Sequence, residues 1–241
     1  MRHFDLNCDM GELDSLVEDG TQAELLKCVT SVNVCCNAHA GSEALIWATL
    51  KMSQGVRIGA HPGYPDRLNF GRRVVVMPME ALVVCIVDQL VWIDELAQRC
   101  GVGPLTHVKP HGALYNAAVQ DREVALAIAE AAFRWNPEVL LVGLAGSLML
   151  DVFREAGLRV WSEGFADRAY ESDGSLRSRS LDGALIVDPD EAAEQAWRLL
   201  QNGFCDTICV HSDTPGAVAI SKAVALRCGN LQTTGRMGLD R

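Results

Sequence analysis

The chain has 241 residues, about the length of one α/β barrel, with 49% hydrophobic and 22% charged residues. Its 21 lysines and arginines against 31 aspartates and glutamates leave a net charge of −10. That balance argues against nucleic acid or an anionic membrane as the main partner, but not against a small anion held by local cations. In chain order, strands are predicted at 3–7, 31–36 and 56–61, leading to a helix over 78–100. That helix places Leu82, Ile86, Leu90, Ile93 and Ala97 at three- and four-residue steps and has Pro78 at its first turn. Strand 105–109 then precedes a helix over 121–135, and strand 139–144 a helix over 147–156. Strand 159–163 precedes a helix over 189–202, and strand 207–211 a helix over 215–228. Asp121 and Ser147 read as N-caps, Gly157 and Gly203 as stops.

Seven strand-then-helix units predict an α/β fold: a closed or nearly closed seven-stranded parallel (β/α) barrel with helices outside. No glycine-rich loop follows the first strand, against a Rossmann fold. Residues 1–230 read as one domain and 231–241 as a flexible tail. The polar stretch 171–183 reads as an excursion or lid over a pocket. Nine cysteines, without CxxC spacing, give neither a zinc ribbon nor a disulfide framework. With no signal segment and no uncharged run near the roughly 18 residues of a membrane span, they predict a cytoplasmic protein with buried thiols.

The chemistry gathers where strands end. In DLNCDMGE, Asp5, Asn7 and Asp9 share the inward face of a strand, with Glu12 in the loop beyond. Inward polar groups either bind something or bond each other, so a pocket and a hydrogen-bonded floor are both open. In THVKPHGALYN, His107 and Lys109 project together, His111 turns over the rim and Asn116 follows. A lysine between histidines is expected to have a depressed pKa. His39 and His61 stand at two other strand ends. In TICVHSDTPGA, His211 and Asp213 precede a helix whose N-terminus could receive an anion. Asp167 and Arg168 read equally as a rim salt bridge or as substrate contacts.

The blocks DLNCDMGE, NVCCNAHAGS, GAHPGYPDRLNFGRR, HVKPHGALYN, LVGLAGS, FADRAY, DGSLRSRS and VHSDTPGA together resemble the LamB/YcsF family over residues 3 to about 228. The family's usual CGFHAGD and HGD blocks are altered at Asn37, Ala38, Ser42 and Ser212. The resemblance implies a deformed TIM-like barrel related to polysaccharide deacetylases. It also implies ATP-consuming opening of the 5-oxoproline lactam to glutamate, with separate B and C subunits as partners. No GxxxxGK[ST] loop is present, so ATP use is assigned to the complex. On that basis Asp9 or another rim carboxylate is the expected base, Lys109 the electrostatic stabiliser, and His61 and His111 the proton-transfer or orienting groups. Asn7, Glu12, His39, His107, Asn116, Asp167, His211 and Asp213 are expected around the substrate. Asp9, His39 and His61 are the possible ligands of a divalent metal. A stand-alone metal hydrolase and a non-catalytic binding protein are the alternatives.

Overall fold

The computed structural model describes residues 4–229. Seven parallel strands close into a barrel in sequence order: β1 (Asp5–Met10), β2 (Ser31–Cys35), β3 (Arg57–His61), β4 (His107–Val108), β5 (Leu140–Leu144), β6 (Arg159–Phe165) and β7 (Thr207–Cys209). The ring closes where Asp5 of β1 registers with Thr207 of β7. The seven-stranded parallel barrel expected from the alternation is therefore what forms.

Parallel neighbours need long crossovers, and helices supply them. These are α1 (Asp14–Glu18), α2 (Thr21–Leu26), α3 (Glu43–Met52), α4 (Met79–Cys100), α5 (Gly112–Ala118), α6 (Arg122–Trp135), α7 (Leu148–Glu155), α8 (Pro189–Gln201) and α9 (Ala217–Cys228). In α4 the periodic face is the buried one, Leu82, Ile86, Leu90, Ile93 and Ala97 included. Asp121 caps α6, its carboxylate accepting from the amides of Glu123 and Val124 at 2.9 and 3.4 Å.

Several local expectations are corrected. Ser147 does stand at the N-cap position of α7, but its hydroxyl donates to the Leu144 carbonyl at 2.6 Å and makes no cap bond to the helix. Helix α9 begins at Ala217, not at Pro215, because Gly216 just before it takes a left-handed φ of 80°. Strand β1 runs later than predicted, and β4 keeps only His107–Val108 of the predicted 105–109, ending shortly before Pro110, which has no N–H to donate. Helices α1, α2, α3 and α5 are additions to the predicted set. Of these, α3 has Ser42 as its N-cap, the hydroxyl accepting from the Leu45 amide at 3.2 Å. The expected tail, 231–241, lies outside the described residues. No helix among those residues is long and apolar enough to cross a membrane.

The apolar core is a ring between strands and helices. Leu6, Cys8, Val32, Val34, Ile58, Ala60, Val108, Leu141 and Ile208 point outward from the sheet and are buried against the helix layer. Each large aliphatic side chain among them contributes roughly 1.5–3 kcal/mol. The opposite faces, turned into the barrel, carry a polar network that sets up the site.

A candidate active site at the carboxyl mouth of the barrel

The network is layered. At the floor, the Asp5 carboxylate accepts from Thr30 at 2.5 Å and from Ser31 at 2.9 and 3.0 Å, and it pairs with Arg57 and Thr207. Every contact is internal, so Asp5 is structural. One layer up, Asn7 donates to Thr207 and Glu163 at 2.8 and 3.0 Å. Its Oδ1 accepts from Asn33 and Lys109 at 2.9 and 3.2 Å. His107 lies beside this layer, with Nε2 2.8 Å from Asn33 Oδ1 and Nδ1 2.8 Å from the Thr106 hydroxyl. Burial pushes this imidazole down to about 4, so it stays neutral.

Lys109 is the hub of the next layer. Its ammonium lies 3.0 Å from Asp9 Oδ1, 2.9 Å from Glu163 Oε1 and 3.1 Å from Cys209 Sγ. Burial would lower its pKa, but Asp9, Cys209 and Glu163 hold it well above the ordinary lysine value. The depressed lysine expected from flanking histidines is thus overturned: carboxylates from β1 and β6, distant in sequence, surround it instead. Asp9 is held well below the usual carboxylate range; burial opposes this, and His61 and Lys109 outweigh it. Glu163 is a site residue that the sequence reading does not single out. It is fully buried, and its Oε2 has no hydrogen-bond partner among the described residues, as is also true of the Tyr115 hydroxyl.

At the rim, His61 Nε2 is 3.4 Å from Asp9 Oδ2, 3.0 Å from His111 Nδ1 and 3.8 Å from Glu12 Oε1. Glu12 Oε1 is also 3.1 Å from His111 Nδ1 and 2.9 Å from His39 Nε2. His39 and His111 stack with ring centroids 3.7 Å apart and planes 3° from parallel. Burial alone would lower the His111 imidazole, but the Glu12 carboxylate overrides it and raises the pKa. Among the described residues, two trios bring ligand atoms within 4.8 Å of one another: Glu12, His61 and His111, and separately Asp9, Cys209 and His211. The expected metal set of Asp9, His39 and His61 is not among them, because His39 sits behind Glu12 rather than beside Asp9. Burial also lifts the Cys35 thiol, 3.4 Å from His39, to about 12, leaving no thiolate there.

Across the mouth, Asp167 holds His211. Its two carboxylate oxygens lie 3.0 and 3.1 Å from His211 Nδ1, and it also accepts from the His211 amide at 3.0 Å and the Thr214 hydroxyl at 2.5 Å. The Asp167–Arg168 salt bridge does not form. Arg168 instead donates to the carbonyls of Arg177 and Ala184 at 2.6 and 3.4 Å, holding the 171–183 excursion in place. Asp213 pairs with Arg72 and with Arg179 of the excursion, the latter at 3.1 Å.

These groups enclose a cavity of about 610 Å³. Asp9, Glu12, His61, Lys109, His111 and His211 face it, as do Asn116 and Asp213. The excursion closes one side through residues 175–180. Asn7, His39, His107 and Asp167 do not line it; they stand behind residues that do. Tyr115, Phe165 and Arg168 line it as well. The two-residue alternation Trp161, Glu163, Phe165 along β6 is the signal that could have found Phe165 and Glu163.

Fold and site together define an α/β-barrel protein with an acid–base pocket at the carboxyl ends of its strands, where barrel enzymes carry their chemistry. Residues 4–234 match the LamB/YcsF family, and the chain belongs to that family. It is 43% identical to the A subunit of 5-oxoprolinase from Chloroflexus aggregans over 95% of each chain. Identity to the corresponding 5-oxoprolinase protein of Heliobacterium modesticaldum is 41% over 99% of each. A solved lactam utilization protein from Thermus thermophilus is 38% identical and superposes with a TM-score of 0.85, covering 94% of this chain and 96% of that one.

Proposed function

We propose that this chain is the A subunit of a cytoplasmic 5-oxoprolinase. In this reading it is a hydrolase that opens the 5-oxoproline lactam to glutamate together with B and C subunits, with ATP consumed by the complex. The names of its relatives support the substrate. The observation that carries the chemistry is the convergence of Asp9, Glu12, His61, Lys109, His111 and His211 on one cavity from the ends of β1, β3, β4 and β7.

Opening an unstrained amide requires water to attack the carbonyl carbon, charge to be held on the carbonyl oxygen, and a proton to reach the ring nitrogen as its bond to carbon breaks. Lys109 stays cationic at the cavity floor and serves as the oxyanion's electrostatic partner. Because it is tied to Asp9 and Glu163, it arrives already oriented. His211, with Nδ1 held by Asp167, has Nε2 available for proton transfer, the support given to a catalytic imidazole by a buried carboxylate. Asp9, held well below the usual range, is a weak base; its part is to fix Lys109 and His61. That shifts the role of base from Asp9 to His211. Arg168 and Asn116, both on the cavity wall, suit the substrate carboxylate and amide.

The test is reconstitution. The purified chain mixed with its B and C partners should convert 5-oxoproline to glutamate with matching ATP consumption. Failure under conditions where a homologous trio works removes the assignment, and turnover of another amide without ATP or partners replaces it.

A further inference from the structure

The tautomers of two rim histidines are set by their outer hydrogen bonds. His61 Nδ1 is 2.7 Å from the Lys109 carbonyl, and His111 Nε2 is 2.8 Å from the Phe70 carbonyl. A carbonyl only accepts, so each of these nitrogens carries hydrogen and donates. The neutral rings then present lone pairs at His61 Nε2 and His111 Nδ1, which face each other at 3.0 Å. Glu12 Oε1, a third acceptor, lies 3.1 Å from one and 3.8 Å from the other. Three acceptors aimed at one point repel unless something positive sits among them.

We propose that Glu12, His61 and His111 form a site for one zinc-class divalent transition-metal ion. The spacing suits it: bonds of about 2.0–2.1 Å in tetrahedral geometry place ligand atoms about 3.3–3.4 Å apart. The donor types suit it too, since two imidazoles and one carboxylate favour a transition metal over Mg²⁺ or Ca²⁺. Each ligand has an outer partner: the Lys109 carbonyl for His61, the Phe70 carbonyl for His111, and His39 Nε2 at 2.9 Å for Glu12. His39, stacked on His111, is therefore a positioning residue. All three ligands line the cavity, so the fourth position opens towards substrate, the pattern of a catalytic rather than a structural site. If the lactam reading holds, the bound ion polarises the amide carbonyl. Ion binding itself does not depend on that reading.

A shared proton is the competing occupant, and titration separates the two. The chelator-stripped full-length chain is titrated with Co²⁺, followed by its visible absorption, and then with Zn²⁺ in competition. One equivalent should bind with four-coordinate Co²⁺ bands and no thiolate charge-transfer band. Glu12→Gln and His111→Gln should each weaken binding about 100-fold or more, and His211→Gln should leave it unchanged. Absence of saturable binding to the wild-type chain overturns the site. So does binding indifferent to Glu12→Gln and His111→Gln, or a thiolate band lost in Cys209→Ser, which would move the ion to Asp9, Cys209 and His211. A chain that binds one ion yet fails reconstitution keeps the site and loses the lactam assignment.

Discussion

Lys109 shows how far a single residue's behaviour depends on partners remote in sequence. Its neighbours His107 and His111 suggest a lysine poised to lose its proton. Instead His107 turns down to Asn33, His111 turns up to Glu12, and the ammonium meets Asp9 and Glu163. Lys109→Met would leave two buried carboxylates without a cation, and breaking such a pair costs about 3–5 kcal/mol. Urea unfolding should show that loss. Lys109→Met combined with Glu163→Gln should recover part of the stability but none of the reconstituted activity. Recovery of both would make the lysine structural only. Asp167→Asn tests the other side of the mouth: with the His211 tautomer no longer enforced, kcat should fall about 100-fold or more with KM little changed. A rise in KM alone would make His211 a binding group. The inward phase of DLNCDM is legible in the sequence because three polar residues alternate there. The partnership of Glu163 with Lys109 is not, since only the closed ring brings β6 within reach of the β4 end.

At the scale of elements, strands that end in a polar turn are legible, with boundaries displaced by the turn chemistry. β4 keeps only His107–Val108 as regular strand, yet its ladder continues on both sides: the Thr106 amide donates to Ile58 at 2.8 Å and the Lys109 amide to Ala60 at 3.0 Å. Helix α3 is illegible because ALIWATL is almost wholly apolar, so no stripe separates a buried from an exposed face. The missing side chain of Gly59 in β3 is itself structural. A Cβ there would lie 2.3 Å from the His107 ring, which is fixed between Asn33 and Thr106. At Gly143 in β5 the corresponding clash is 2.7 Å from the end of the flexible Met149 chain. Gly59→Ala should therefore cost about 3 kcal/mol and Gly143→Ala about 1 kcal/mol, both measured by urea unfolding. Equal costs would show that the His107 ring can move aside and that the inner layer is softer than its hydrogen bonds suggest.

The molecule as a whole departs from the usual barrel interior. Many α/β barrels fill it with branched apolar side chains; here buried ions and amides share it with apolar groups such as Leu144 and Phe165, and a large apolar layer lies outside the strands. Stability should therefore respond to pH through buried groups. Burial pushes His107 and His39 each down to about 4, against about 6.5 in the unfolded chain. Between those values the unfolded chain binds protons that the folded one refuses, so the contribution of these two histidines is full above pH 6.5 and declines as pH falls towards 4. For a single such imidazole the loss is about 3 kcal/mol. His111 has the opposite sign: its raised pKa adds stability below the unfolded value and gives it up as pH rises through the folded one. The depressed carboxylates Asp9 and Asp167 act lower, stabilising above about 3.9 and losing that contribution as pH falls further. The window from about 4 to about 6.5 thus belongs mainly to His107 and His39. Urea midpoints measured across it in chelator should fall with acidity for the wild-type chain, and the slope should flatten in His107→Gln, whatever that variant's absolute stability. An unchanged slope would mean that His107 takes up its proton inside the folded barrel, and the neutral inner layer would have to be abandoned.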